Sequence, residues 1–387
     1  MYLILSSPGF TLVLFRNKQV RSDDAKAQES ACLSIMLFGG VVLASEMSEP
    51  ERVPHFITPF LPQLSGLMTY YAEDLTICEG LLRLFRDYAE QYIAMMTREQ
   101  SIELFTASAT LLRHYSERHC KNRVIHKRSE VEEEFDEEQK YNDVLCAIQL
   151  LIHLGTKDFT IVCNMSTSSS NGVETGQITD VIFFGLQQVL PLMTQGLLQF
   201  PTLCQYYFSL VGFMVETYPE KLCGLPFDLF NSLLESLLFG MSHSDPLVSK
   251  SSLHGLASLA REHLRTQALT PHLSTKADIF DNCSYRLMKE VILQPIIWDR
   301  LEPAGMALLP LAAIDVQKFI GLVHVISQQL GSEEKQRRLH TAFEELIKPD
   351  MLSKVAAEGR EGRFVRLQFK NAFNVFVRDV HSFLVMR

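Results

Sequence analysis

The chain has 387 residues, of which 47% are hydrophobic, so it can bury a large core and global disorder is excluded. Its formal net charge of −9 argues against a general nucleic-acid binder, because phosphate contacts need clustered Lys and Arg; a basic partner is favoured instead. The longest uninterrupted apolar run, "LSIMLFGGVVLA" (33–44), is shorter than the about 20 residues that a spanning helix needs, so we predict no membrane insertion.

Residues 1–70 are predicted to form an amino-terminal helical segment of uncertain fold, and helical patterns become regular beyond them. A first helix is predicted from apolar residues at helical spacing, namely Cys78, Leu81, Leu82, Phe85, Ala89 and Tyr92. Thr97 and Gln100 have the spacing of a capping box, which predicts the start of the next helix, running to about Tyr115.

The sharpest change in composition follows. "RHCKNRVIHKR" (118–128) is basic and "SEVEEEFDEEQKYND" (129–143) is acidic, which indicates a linker or an exposed helix start. Such a cluster could also steer a basic partner towards the chain by long-range attraction. The carboxylates of this acidic segment are Glu130, Glu132, Glu133, Glu134, Asp136, Glu137 and Glu138.

A further helix is predicted from Val144 to Leu154, ended by Gly155, a residue suited to the left-handed cap position. The Ser/Gly-rich stretch from Asn164 to Gln177 is predicted to be a mobile polar loop.

Helix starts then become periodic. They are predicted near Ile178, Pro201, Pro226 and Pro246, with Pro in the first turn, where its missing N–H costs nothing. Starts about 20 to 25 residues apart make a helix pair repeat about every 45 residues, which is the period of HEAT or armadillo arrays. We therefore predict an all-α fold, a HEAT-repeat superhelical solenoid over residues 71–387.

The helix after Pro201 is apolar nearly all round, which requires cover on more than one side. Tyr206 and Phe213 are predicted to pack on one neighbour. A second stripe is predicted to pack on another, and consists of Leu203, Tyr207, Leu210, Val211, Met214 and Tyr218.

The stretch "LLQFPTLCQYYFSLVGFMVETYPEKLCGLPFDLFNSLLESLLFGM" (197–241) resembles exportins, nuclear transport receptors of the karyopherin-β (importin-β) superfamily. "LLRLFRDYAEQYI" (81–93), "LLRHYSERH" (111–119) and "FVRDVHSFLVMR" (376–387) extend the resemblance over roughly residues 70–387. It is specific in the central block and looser after Arg261.

The resemblance implies a HEAT-repeat receptor that binds folded protein cargo together with Ran-GTP, engages nuclear pore proteins and shuttles between nucleus and cytoplasm. Members of this family are considerably longer, and their principal Ran-binding arch lies towards the amino terminus. The expectation is thus a carboxy-terminal part of such a receptor. A HEAT-repeat scaffold subunit without Ran dependence remains the alternative.

The predicted helix from Pro226 to Phe239 carries the candidate cargo-binding residues. Its apolar residues Phe230, Leu233, Leu234, Leu237 and Leu238 are predicted to face inward. The remaining polar residues lie at helical spacing on one side, which is either a cargo-binding face or a solvated one. This polar stripe consists of Asp228, Asn231, Ser232 and Glu235.

No motif in the sequence indicates catalysis, so we predict a protein that is not an enzyme and needs no cofactor. The eight cysteines contain no CxxC pair, which predicts reduced, mostly buried thiols. His114, His119, Cys120 and His126 lie close in sequence, but their spacing fits no standard zinc site and the basic residues between them would repel a cation. No metal site is predicted.

Overall fold

The computed structural model describes residues 25–44, 51–122, 141–165, 183–193, 195–295, 297–352, 354–355 and 359–384. Every regular element within these ranges is helical, so the predicted all-α class is confirmed. The chain divides into two compact units, one ending at Tyr206 and the other beginning at Tyr207.

Between residues 25 and 165, the described part of the first unit contains six helices and one short helical turn, and residues 183–189 are helical as well. The helices are α1 (Ala25–Leu43), α2 (Arg52–Ile57), α3 (Leu61–Tyr70), α4 (Leu75–Tyr92), α5 (Arg98–Asn122) and α6 (Asn142–Met165). Helix α4 is central, because it packs on α1, α3, α5 and α6. Its fully buried side chains include Leu81, Leu82 and Phe85, as the helical spacing predicts, and also Tyr88.

Helix starts in this unit follow from local side-chain chemistry. The carboxylate of Asp74 accepts hydrogen bonds from the backbone N–H groups of Thr76 and Ile77, at 2.9 and 3.2 Å, and so caps α4. The predicted capping box is confirmed at the start of α5: Thr97 N–H donates to Gln100 Oε1 at 3.0 Å, and Gln100 N–H donates to Thr97 Oγ1 at 3.3 Å.

One predicted helix end in this unit is wrong. Gly155 was expected to terminate the helix that begins near Val144, yet α6 continues to Met165. Glycine costs a helix interior only about 1 kcal/mol, which the apolar contacts of α6 with α4 offset. Asn164 and Met165 therefore belong to a helix, and the rest of the predicted 164–177 loop lies outside the described residues.

The boundary between the units falls inside the helix Pro201–Thr217, most of which belongs to the second unit. The second unit continues the alternation of helices and tight turns. Its helices are α7 (Pro201–Thr217), α8 (Pro219–Cys223), α9 (Phe227–Met241), α10 (Pro246–Thr266), α11 (Thr270–Thr275), α12 (Ile279–Leu293), α13 (Trp298–Ile314), α14 (Val316–Gln328), α15 (Glu333–Leu346), α16 (Pro349–Leu352) and α17 (Gly359–Leu384). The first turns of α7 and α10 contain the expected prolines, and Pro226 is the residue before α9.

Helices of the second unit pack in a stacked pattern. Helix α10 packs on α9 before it and, most extensively, on α13 after it. Helix α12 contacts α9, α13 and α14, and α13 contacts α17. Each of these helices thus touches its sequence neighbour and a helix of the following pair, so the apolar core runs continuously through the unit.

The packing of α7 corrects one prediction. Leu203, Tyr207, Leu210, Val211 and Met214 are buried, as predicted. Tyr218, the sixth residue of that predicted stripe, follows the end of α7 and is half-buried. Tyr206, which was expected to pack on a neighbour, is instead 38% exposed, and Phe213 is half-buried. The second buried side of α7 is formed by Cys204, Phe208 and Val215. A tyrosine tolerates exposure because its hydroxyl can remain hydrated, whereas the wholly apolar Phe208 gains more from burial.

Two helical segments are apolar enough to merit comparison with membrane spans. Helix α1 alone, among the described helices, reaches the required length and composition, and 33% of its most apolar window is buried in the first unit. Helices α13 and α14 would meet the same test together, but the chain turns by 120° between them. The absence of membrane insertion stays a prediction.

Aromatic burial is uneven at the start of α13. Trp298, the single tryptophan of the chain, is 65% exposed, and Ile297 before it is 44% exposed.

Among the described cysteines, the prediction of buried thiols is confirmed for Cys78, Cys146, Cys204, Cys223 and Cys283, while Cys32 is partly exposed.

Candidate cargo-binding surface on the Phe227–Met241 helix

Helix α9 is held in place by its apolar face. Phe230, Leu233, Leu234, Leu237 and Leu238 are all at most 3% exposed, as predicted. The buried Ser236 hydroxyl lies 2.9 Å from the Tyr207 hydroxyl of α7, so the one polar group on this face is hydrogen-bonded. These contacts fix the rotation of α9 and therefore the direction in which its polar stripe points.

The polar stripe lies on the opposite side of the helix. Asp228 and Ser232 are exposed, and Asn231 and Glu235 are half-buried. Ser232 Oγ donates to the backbone oxygen of Asp228 at 2.9 Å, which leaves the Asp228 carboxylate unengaged by that hydroxyl. Asp228 also lies in the first turn of α9, where a negative charge is stabilised by the helix dipole.

Lys276 is a member of this surface that the sequence did not reveal. Its Nζ lies 3.4 Å from Asn231 Oδ1 and 3.8 Å from Glu235 Oε1. The lysine follows α11 and is distant in sequence from α9, so only the fold brings the three side chains together. The stripe therefore has two parts: an exposed half at Asp228 and Ser232, and a half at Asn231 and Glu235 that already contacts a cation.

The position of Lys276 is set by a buried histidine on α11. His272 stacks on Phe230 with ring centroids 4.3 Å apart, and its Nε2 lies 2.9 Å from the Cys223 carbonyl oxygen. These contacts anchor α11 against α8 and α9 and deliver Lys276 to the stripe. The ion pair itself contributes little, about 0–1 kcal/mol, because both side chains are about one-third or more exposed.

Cys283 is a nucleophilic side chain that feels the charges of both Glu235 and Lys276. It is fully buried in α12, and burial raises the pKa of its thiol to about 12, an effect to which the charge of Glu235 adds. The protonated thiol is a poor nucleophile at neutral pH, so Cys283 serves packing. The chemistry of this surface is therefore that of charge and hydrogen bonding.

The remaining predicted site residues lie elsewhere. The carboxylates of the acidic segment, Glu130 to Glu138, fall outside the described residues, so their role as steering groups stays a prediction. Within the described ranges, no three His, Cys, Asp or Glu side chains are grouped as a metal ion would require. His119, Cys120 and His126 are not among the side chains that the structure describes.

Comparison with known proteins adds no family. No family model matches this sequence. Among solved structures, the chain aligns over 97% of its length with 99% of an engineered protein, at 12% identity and a TM-score of 0.25. A similarity of this size carries no argument about fold or function, so the proposals below rest on the residues themselves.

Proposed function

We propose that the chain is the carboxy-terminal part of a HEAT-repeat nuclear transport receptor of the exportin-4 type. In this proposal it carries folded, basic protein cargo through nuclear pores with Ran-GTP, shuttling between nucleus and cytoplasm. Support comes from the central block of the exportin resemblance, residues 197–241, which forms α7, α8 and α9. The stacked packing of α9, α10, α12 and α13 is also what successive helix pairs of a HEAT array require.

The observation that carries the proposal is the outward-facing acidic stripe on a helix whose other face is fully buried. A folded cargo binds better to groups on a backbone that is already held in place, because less ordering entropy is then lost on binding. Asp228 and Glu235 are held in this way, since the core contacts of Phe230, Leu234 and Leu237 fix the helix that bears them.

Substitution of the stripe should speed dissociation of a basic folded cargo. For the double variant Asp228→Lys with Glu235→Lys, we expect the dissociation rate to rise about tenfold, because contacts inside an interface govern residence time. Lys276→Gln is the variant with the opposite expected effect. It removes the lysine that contacts Asn231 and Glu235 within the chain, so these groups become available to the cargo and dissociation should slow about twofold. Surface plasmon resonance at low and physiological salt measures both rates.

The acidic segment supplies the control for this experiment. Neutralising Glu132, Glu133 and Glu134 to Gln should slow association and flatten its salt dependence, while dissociation stays nearly unchanged, because steering acts before contact. Circular dichroism must show that every variant is still helical. If the stripe double variant dissociates at the wild-type rate, the cargo face lies on another helix.

Ran binding is a separate expectation. Because the resemblance implies a principal Ran-binding arch outside this chain, the 387 residues alone should bind Ran-GTP weakly or not detectably. Pull-down with Ran locked in its GTP or GDP form measures this. Tight, nucleotide-dependent binding would instead show that the carboxy-terminal helices suffice for Ran recognition.

Binding to nuclear pore proteins distinguishes a transport receptor from the alternative, a HEAT-repeat scaffold subunit. A transport receptor must bind nuclear pore proteins, whereas a HEAT-repeat scaffold subunit has no such requirement. Beads coated with nuclear pore proteins should retain the chain, with an unrelated acidic helical protein as control. Cargo binding without any retention on these beads would favour the scaffold.

A further inference from the structure

A cavity in the second unit has four arginines among its ten lining residues, and we call it the arginine cavity. It has a volume of about 360 Å³ and lies between the end of α10 and the start of α17. Its lining residues are Glu216, Pro219, Ser258, Arg261, Glu262, Arg265, Val355, Gly359, Arg363 and Arg366. Four guanidinium groups and two carboxylates therefore share one concave surface, in a chain whose overall formal charge is −9.

One arginine and one carboxylate of this arginine cavity satisfy each other. Glu262, which is 6% exposed, accepts two hydrogen bonds from Arg265, from Nε at 3.1 Å and from Nη2 at 2.8 Å. The Thr266 hydroxyl lies 3.1 Å from the same carboxylate. This two-point pair is close to neutral, so the charge of the cavity is decided by the other four ionisable groups.

Those four groups leave an excess of positive charge. Arg261 donates from Nη2 to the Ser258 hydroxyl at 2.9 Å, a neutral partner. Burial, together with the like charge of Arg366, lowers the pKa of the Arg261 guanidinium below its ordinary value, and Glu216 offsets this only in part. Glu216 also lines the cavity; its carboxylate is well exposed and lies 3.6 Å from His254 Nδ1. Arg261, Arg363 and Arg366 thus outnumber the one remaining carboxylate.

The backbone at the start of α17 also favours a negatively charged ligand. Gly359 begins the 26-residue helix α17 and has a φ of +71°, a left-handed conformation that glycine adopts without strain. The first turn of a helix has N–H groups without intrahelical acceptors and carries a partial positive charge. Gly359 lines the cavity, so this end of α17 borders it and favours a negative ligand.

We propose that the arginine cavity binds a small anion that carries two or more phosphate groups. Guanidinium groups match phosphate oxygens in a two-point geometry, and three of them in one cavity offer enough donors for more than one anionic group. The volume lies within the range of small-molecule sites, about 300–1,000 Å³. The negative charge of such a ligand would offset the repulsion between the guanidinium groups of Arg261 and Arg366.

The proposal is tested by calorimetric titration of the full chain with inositol hexakisphosphate and with pyrophosphate at physiological ionic strength. We expect saturable binding of one ligand per chain. Arg363→Gln and Arg366→Gln should each raise the dissociation constant about tenfold. Arg337→Gln, an exposed arginine of α15 outside the cavity, is the control of equal charge change and should stay within about twofold of wild type. Arg366→Lys keeps the positive charge but lacks the two-point donor geometry of a guanidinium group, so it should weaken binding several-fold.

Other results would overturn the assignment. Equal losses for Arg337→Gln and Arg363→Gln would show that the ligand senses only overall charge. Citrate binding as tightly as inositol hexakisphosphate would remove the preference for phosphate. Absence of saturable binding by wild type refutes the site directly. Should Arg366→Gln fail to fold by circular dichroism, Arg363→Gln, whose side chain is exposed, carries the test.

Discussion

Leu210→Asp should destabilise the second unit by about 3–5 kcal/mol, because it places an uncompensated charge where no water reaches. Leu210 is 0% exposed on α7, and its neighbours along the same face, Tyr207 and Met214, are equally buried. Thermal unfolding followed by far-ultraviolet circular dichroism measures the effect as a fall in the melting temperature and a loss of helicity.

The matched control is Tyr206→Asp on the same helix. Tyr206 lies four residues before Leu210 but is 38% exposed, so an aspartate there stays hydrated, and the expected change is within about 0.5 kcal/mol. If the two variants melt alike, the rotation of α7 described above is wrong. If Leu210→Asp keeps the wild-type melting temperature, Leu210 does not face the core.

Gly240→Ala should destabilise the protein by about 1–3 kcal/mol, although alanine is the better helix former. A Cβ atom at Gly240 of α9 would lie within 2.1 Å of Ser252 Oγ and within 2.5 Å of Phe208 Cζ, so both side chains would have to move. The Ser252 hydroxyl donates to the Val248 carbonyl oxygen at 2.8 Å, and Phe208 is 1% exposed, so neither is free to yield. The measurement is again the melting temperature.

Gly321→Ala is the control with the opposite expected sign. Gly321 lies inside α14, and a Cβ atom there would meet nothing within 4 Å. Alanine should therefore add about 0.5–1 kcal/mol through its lower backbone entropy in the unfolded chain. A stabilising Gly240→Ala would mean that α7, α9 and α10 approach one another less closely than described.

Helix existence could be predicted from the sequence because the signals are local. The Thr97–Gln100 capping box, the prolines at 201 and 246 and the apolar spacing of α4 each act within one or two helical turns. The end of α6 could not be predicted in this way. Local sequence signals favour an end at Gly155, whereas α6 as a whole packs against α4, a helix far earlier in the sequence.

The candidate sites show the same division. The inward face of α9 was predictable from periodicity, since all five apolar residues are buried as expected. Lys276 and the arginine cavity were not, because they join side chains from distant helices and no sequence pattern marks their meeting. Tyr206 was mispredicted for a related reason: periodicity cannot tell which of two apolar stripes has a neighbour to cover it.

The exposed position of Trp298 determines which spectroscopic signal can follow unfolding of this protein. An indole that is already 65% exposed in the native state has little hydration left to gain, so its emission maximum should move little when the protein unfolds. Tryptophan fluorescence is thus a poor measure of the stability changes expected at Leu210 and Gly240, and backbone dichroism is the better signal. Being the only indole in the chain, Trp298 instead offers a single-site optical reporter of any molecule that docks at the start of α13.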